Sequence, residues 1–334
     1  MKKIFSFLKK LNPHLVLTGL IIFSILIGIF FFARWARGTD STYDRDLVED
    51  GYDIEVLDRV YYPTPEKLGD HIPNEPKKIL CFGNAPFADD RDSENNLCNL
   101  IAKETGAEVI NLSIPDSYLS MLHTKNPTLI AYNYYTFYFL TCFAALKDFD
   151  LLYSEYDTLA RGTSEIGDTV VDYLIDLDLN TVDTIVLMYD ATDYLIGHIK
   201  ETPDEISNPH TTCGNMFAGI ELLQSNYPHL QIIVMSPTYA YAVDENGDYI
   251  SSDIVKVEGE SLSSYAITQL NLCQLKEVTF IDNIYGTIHA DNADSYLIDN
   301  LHINEAGRKL IAERFAQIYD KTWKRYEEKL KAKK

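Results

Sequence analysis

Asp299-Asn300-Leu301-His302-Ile303-Asn304-Glu305-Ala306-Gly307 places an acid three residues before a histidine, where a long helical pattern begins. A carboxylate one short turn from an imidazole fixes the ring tautomer and stabilises the imidazolium formed during proton transfer. The same spacing also serves a structural pair, in which the acid merely anchors the ring. Chemistry requires a partner group elsewhere in the chain.

Upstream of this stretch the pattern is that of a parallel sheet covered by helices. Short runs that are apolar throughout suit strands buried on both faces. They predict strands at Lys78–Phe82, Glu108–Leu112, Thr184–Tyr189, Gln231–Ser236 and Val278–Asp282. Helical periods predict helices at Ser93–Thr105, with Ser93 as N-cap, and at Met216–Asn226, Val255–Cys273 and Asn304–Lys329. Asp244-Glu245-Asn246-Gly247-Asp248 signals a hairpin. The uncharged segment from Thr128 to Leu146 is bilayer-length, but Asn133 and the tyrosines at 132, 134, 135 and 138 favour a buried or partly exposed helix. A second crossing there would also cut the sheet in two.

The N-terminal segment has a different character. Four lysines at positions 2, 3, 9 and 10 precede a charge-free run from Leu15 to Ala33, with Arg34 and Arg37 after it. That length and charge bias predict a basic cytoplasmic tail at 1–14 and a single signal anchor at 15–36. The remainder would face outward, as a stalk at 37–76 and a domain at 77–334, which places the chain in the cell membrane. The alternative for the apolar run is a cleaved signal peptide.

The chain carries 29 basic and 50 acidic side chains. So acidic a surface excludes nucleic acid as a partner. Five scattered cysteines without a CxxC spacing argue against a disulfide framework or zinc site. Acidic residues at strand ends (Asp89, Asp90, Asp190, Asp193) have no diagnostic ligand spacing, so neither a metal nor another cofactor is expected.

The order of elements, with the Asp299–His302 block leading into Asn304-Glu305-Ala306-Gly307, resembles the SGNH (GDSL-type) hydrolases over roughly Lys77 to Ala316. The resemblance implies a flavodoxin-like three-layer α/β/α fold with a five-stranded, mainly parallel sheet. It implies His302 and Asp299 as the base dyad. The family's Gly-Asp-Ser turn falls on Gly83-Asn84-Ala85, so Ala85 stands where the attacking serine belongs, and a methyl group forms no acyl-enzyme. The second block falls on Asn111 to Asp116, with Ser113 or Asp116 at the position of an oxyanion-binding glycine. The third falls on Asp190-Ala191-Thr192-Asp193, where Thr192 replaces the asparagine whose amide supports the oxyanion, a change that costs about 100-fold or more in rate. Ser93, Ser113, Ser117 and Ser120 are the neighbouring hydroxyls, and Ser113 is the best placed of them to replace the missing nucleophile.

Three functions are compatible with this pattern. The first is an anchored extracytoplasmic protein without ordinary esterase activity, acting in binding or assembly at the cell envelope on polysaccharide or acyl-glycan. The second is a carbohydrate esterase or O-acyltransferase in which the dyad serves a non-standard nucleophile. The third is a structural partner of a membrane enzyme, docking through the aromatic segment Leu129–Phe143. His198, His210, His229 and His289 are expected on loops or the surface.

Overall fold

The structure, a computed structural model, describes residues 56–147, 149–252 and 254–333, and of the remainder Ser24, Ile25 and Gly28. The chain divides into two units, Met1–Ser41 and Thr42–Lys334. The expected basic tail, signal anchor and first part of the stalk therefore lie outside the described residues, apart from those three, which are helical. Among the described residues no helix is long and apolar enough to cross a membrane. The sheet and both of its helical layers belong to the second unit.

Five short apolar runs form one parallel sheet. They are β1 (Lys78–Gly83), β2 (Glu108–Asn111), β3 (Thr184–Met188), β4 (Gln231–Met235) and, beyond a hairpin of β5 (Tyr241–Val243) and β6 (Tyr249–Ser251), β7 (Thr279–Ile281). Their order is β2-β1-β3-β4-β7, the flavodoxin-like arrangement. Each observed limit lies close to the expected one; β1, β3, β4 and β7 are buried almost throughout, as their apolar runs suggest, whereas the edge strand β2 is only partly covered. β5 and β6 pair antiparallel around the expected turn.

Alternation along β1 divides the core. Ile79 and Cys81 face a layer formed by α1 (Leu97–Thr105) and the C-terminal helix Glu305–Lys333. Leu80 and Phe82 face the opposite layer, α2 (Phe137–Ala145), α3 (Glu165–Asp176), α4 (Thr212–Asn226) and part of α5 (Leu262–Lys276). The C-terminal helix is α6. Before β1, Arg59 exchanges backbone hydrogen bonds with Phe280 of β7 (2.9 and 2.8 Å), covering that sheet edge. A buried Arg314–Asp58 ion pair (2.5 Å) ties the same segment to α6.

Two helices begin later than the sequence suggests. α1 starts at Leu97, capped by Asn96, whose Oδ1 accepts from Cys98 N (2.9 Å). Ser93 instead closes a turn by accepting from Asn95 N (3.1 Å). α5 starts at Leu262 because Glu258 and Gly259 hold positive φ and Ser261 caps the helix. The aromatic segment is neither one helix nor an open face. It breaks at Asn133–Tyr135, and Tyr135, Phe137 and Phe143 are fully buried.

Candidate functional site

The strand order reverses between β1 and β3, so their carboxyl ends open a crevice in which this fold class places ligands. Gly83 ends β1 opposite Met188 of β3, and any Cβ there would lie 1.9 Å from the Met188 carbonyl oxygen. Only glycine permits that approach, which brings the next turn against the neighbouring one. Asn84 then joins the two turns. Its Nδ2 donates to Asp190 Oδ1 (2.9 Å) and to the Ser117 carbonyl (3.1 Å), while its Oδ1 accepts from Asp190 N (2.9 Å). Ala85 follows as the first residue of the short helix Ala85–Ala88.

The third wall comes from the loop before α6. Antiparallel pairing of Leu297 with Ile303 closes it, and Ile298 N donates to the His302 carbonyl (2.7 Å). Asp299 sits at its tip. Oδ1 accepts from Leu301 N and His302 N (both 2.8 Å), and Oδ2 lies 2.7 Å from His302 Nδ1. The dyad is therefore formed as the spacing implies. Gly307 follows because a side chain there would strike Ile303 at 2.6 Å and the Tyr296 carbonyl at 2.9 Å. Asn304 Oδ1 caps the helix by accepting from Gly307 N (3.0 Å).

Arg308 braces the loop against the segment after β1. Its guanidinium donates to the Ile303 carbonyl (3.0 Å), the Asn95 carbonyl (2.9 Å) and Asp90 Oδ2 (2.6 Å). Nothing in the sequence pattern assigns this arginine a role. Two of its partners are more than 200 residues distant along the chain, and no local spacing announces them.

Three carboxylates surround His302. Burial opposes its protonation, but the Asp299 hydrogen bond and the charges of Asp299, Asp89 and Asp190 outweigh it and raise the pKa above the ordinary histidine value. Burial works against the Asp299 carboxylate too, yet its amide donors and His302 hold its pKa below the usual range. Burial raises Asp89 and Asp190. Nδ1 of His302 is engaged, and Nε2 has no hydrogen-bond partner among the described residues.

The hydroxyls and amides that could complete a catalytic set are engaged elsewhere. Ser113 is fully buried; its Oγ lies 2.5 Å from Asn111 Oδ1 and accepts from Arg91 Nη2 at 3.0 Å. Its backbone N–H is also used, donating to Asn111 Oδ1 (3.1 Å). Asp116, the other residue considered for the glycine position, holds φ +56°, a conformation glycine takes without cost. Ser117 Oγ donates to the Ile114 carbonyl (2.8 Å), and Thr192 N donates to Asp190 Oδ1 (2.9 Å). A bound carbonyl oxygen thus meets neither the Ser113 nor the Thr192 amide.

Asp193, the last residue of the third block, is surrounded by donors of the protein itself. It accepts from Leu119 N (2.8 Å), Ser120 N (3.0 Å) and Ser120 Oγ (2.5 Å), and lies 2.7 Å from His198 Nδ1. Ser120 Oγ is also 2.6 Å from that ring nitrogen, and the Tyr265 hydroxyl donates to the His198 carbonyl. His198, expected on a loop without context, is the second acid-bound histidine of this sheet edge. His229 is likewise buried and donates to the Leu179 carbonyl (3.2 Å), and His210 stacks on His123 with centroids 3.8 Å apart. All four of these histidines lie on loops or turns, as expected, and His289 is 3.9 Å from the exposed Asp291. Among the described residues no group of three or more metal-ligating side chains is assembled.

No family model matches the sequence, and no curated protein matches it either. Solved structures do. One crystal structure superposes with a TM-score of 0.50 at 17% identity, over 72% of this chain and 94% of its own. The native aryl esterase of M. smegmatis is similar with a TM-score of 0.45 at 17% identity, over 74% of this chain and 99% of its own. A putative lipolytic protein of the G-D-S-L family from Desulfitobacterium hafniense gives a TM-score of 0.41 at 15% identity, over 72% and 99%. At 17% identity the first of these shows a shared fold and nothing further.

Proposed function

We propose that this chain is an SGNH-fold protein without ordinary esterase activity, whose crevice binds a ligand at the cell envelope instead of cleaving it. The ligand class is envelope polysaccharide or acyl-glycan, and the apolar run at 15–33 anchors the protein in the membrane with the domain outside. The observation that carries this reading is Ala85. It opens the turn after β1, where the fold delivers its nucleophile, while an intact Asp299–His302 pair keeps its outer nitrogen unengaged. Two further features support it, since Ser113 and Thr192 both spend their backbone N–H on neighbouring side chains. The esterase or O-acyltransferase alternative requires a relocated hydroxyl, and Ser113 is fully buried and bound on both sides.

The test is active-site labelling of the full chain with a fluorophosphonate, which reacts with activated serines. No adduct is expected. A stoichiometric adduct on any serine, lost in His302→Ala, overturns the reading.

A further inference from the structure

Away from the dyad, a groove of about 310 Å³ runs between the free edge of β2 and helix α3. Ligand pockets start at about that size. Ile110, Leu112, Ile166, Val170 and Tyr173 make its walls apolar, and Arg91 closes one end. That guanidinium is the unusual element. It is half-buried, and burial depresses its pKa. It donates to the Asn111 carbonyl (2.9 Å) and to the Ser113 carbonyl and hydroxyl. Its Nε is buried without a partner, and no carboxylate among the described residues lies within ion-pair distance. In a chain with 50 acidic residues, a partly desolvated arginine that feels the charge of Asp92 but forms no ion pair stands out. The neutral acceptors it has offset its desolvation less well than an anion would.

We propose that this groove binds a small amphiphilic carboxylate, its anionic head on Arg91 and its hydrocarbon tail along Ile110, Ile166 and Val170. Charge complementarity selects the head, and the apolar walls select the tail. Glu165 also borders the groove as an exposed residue, so a second anionic group on the ligand is disfavoured. The site is separate from the dyad and does not depend on whether that dyad turns over an ester.

Calorimetric titration of the full chain with hexanoate and with hexanamide, its neutral counterpart, tests the proposal. Hexanoate is expected to bind about tenfold or more tighter, as a charge-assisted contact requires. Arg91→Met should erase that difference. Thr169→Trp, at an exposed position bordering the groove, should abolish hexanoate binding with the thermal midpoint unchanged. His302→Ala should leave hexanoate binding as it is. If Arg91→Met proves poorly folded, the hexanamide comparison and Thr169→Trp decide. Equal affinity for the two ligands, no binding, binding that survives Thr169→Trp, or binding lost in His302→Ala each overturns the proposal.

Discussion

The same sheet edge carries two acid–histidine pairs of nearly identical length. His302 Nδ1 lies 2.7 Å from Asp299, and His198 Nδ1 lies 2.7 Å from Asp193. Their surroundings differ. The His302 and Asp299 side chains are 43% and 41% exposed, and the ring turns an unengaged nitrogen outward. His198 and Asp193 are 17% and 6% exposed. Both acids take two backbone amides, but those on Asp299 come from its own loop, whereas those on Asp193 come from Leu119 and Ser120, more than 70 residues away, and are joined by the Ser120 hydroxyl. The distance between acid and ring therefore says little about use. The pair that holds the fold is recognised by the distant, buried donors its acid ties together, and the pair available to a ligand by its exposure and its outer nitrogen. A serine touching the ring does not make the buried cluster catalytic, because Ser120 Oγ shares Nδ1 with the acid instead of meeting Nε2.

The largest contrast should appear in stability. Asp193→Ala strands several buried donors at once and should cost about 3–5 kcal/mol. Asp299→Ala, at a half-exposed loop tip, should cost about 1 kcal/mol or less. Urea unfolding of both variants measures this, and equal losses would erase the distinction between the pairs.

Restoring a hydroxyl sharpens the comparison on the functional side. Ala85→Ser should remain a poor esterase towards p-nitrophenyl acetate, because Thr192 leaves the oxyanion short of a donor worth about 100-fold or more in rate. High turnover by this single variant would show that the missing serine was the only defect.

The smallest effect is in pH dependence. His302 has its folded pKa raised above the ordinary value, so its contribution to stability is full below about pH 6.5 and is lost as pH rises through the folded value. Asp299, with its pKa lowered, contributes above the ordinary carboxylate range and loses that contribution as pH falls through its folded value. The stability gap between wild type and His302→Gln should therefore narrow as pH is raised from about 6 towards about 9. NMR titration of the ring should give a midpoint above that of a free histidine, falling in Asp299→Asn.

Legibility in the sequence followed contact range. The five parallel strands were readable because each is a short run without polar interruption, and the dyad because its members are three residues apart. The Asp193 cluster was not, since Ser120 lies 73 residues from Asp193 and 78 from His198. Arg308 was hidden for the same reason. The start of α1 was misplaced because Ser93, Asn95 and Asn96 are all good caps, and only packing of the turn after β1 selects Asn96, whose amide donates to the Phe87 carbonyl (2.7 Å). Glycine at 83 could be matched to the family turn, but its necessity became evident only once Met188 was seen opposite.

The central claim of the proposal is that His302, in a fold whose turn after β1 carries Ala85, drives no acyl transfer. Initial rates of acetyl release from an acetylated glycan, measured on wild type and on His302→Ala under identical conditions, test it most directly. The same background rate is predicted for both proteins. A wild-type rate that collapses with the substitution would contradict the claim.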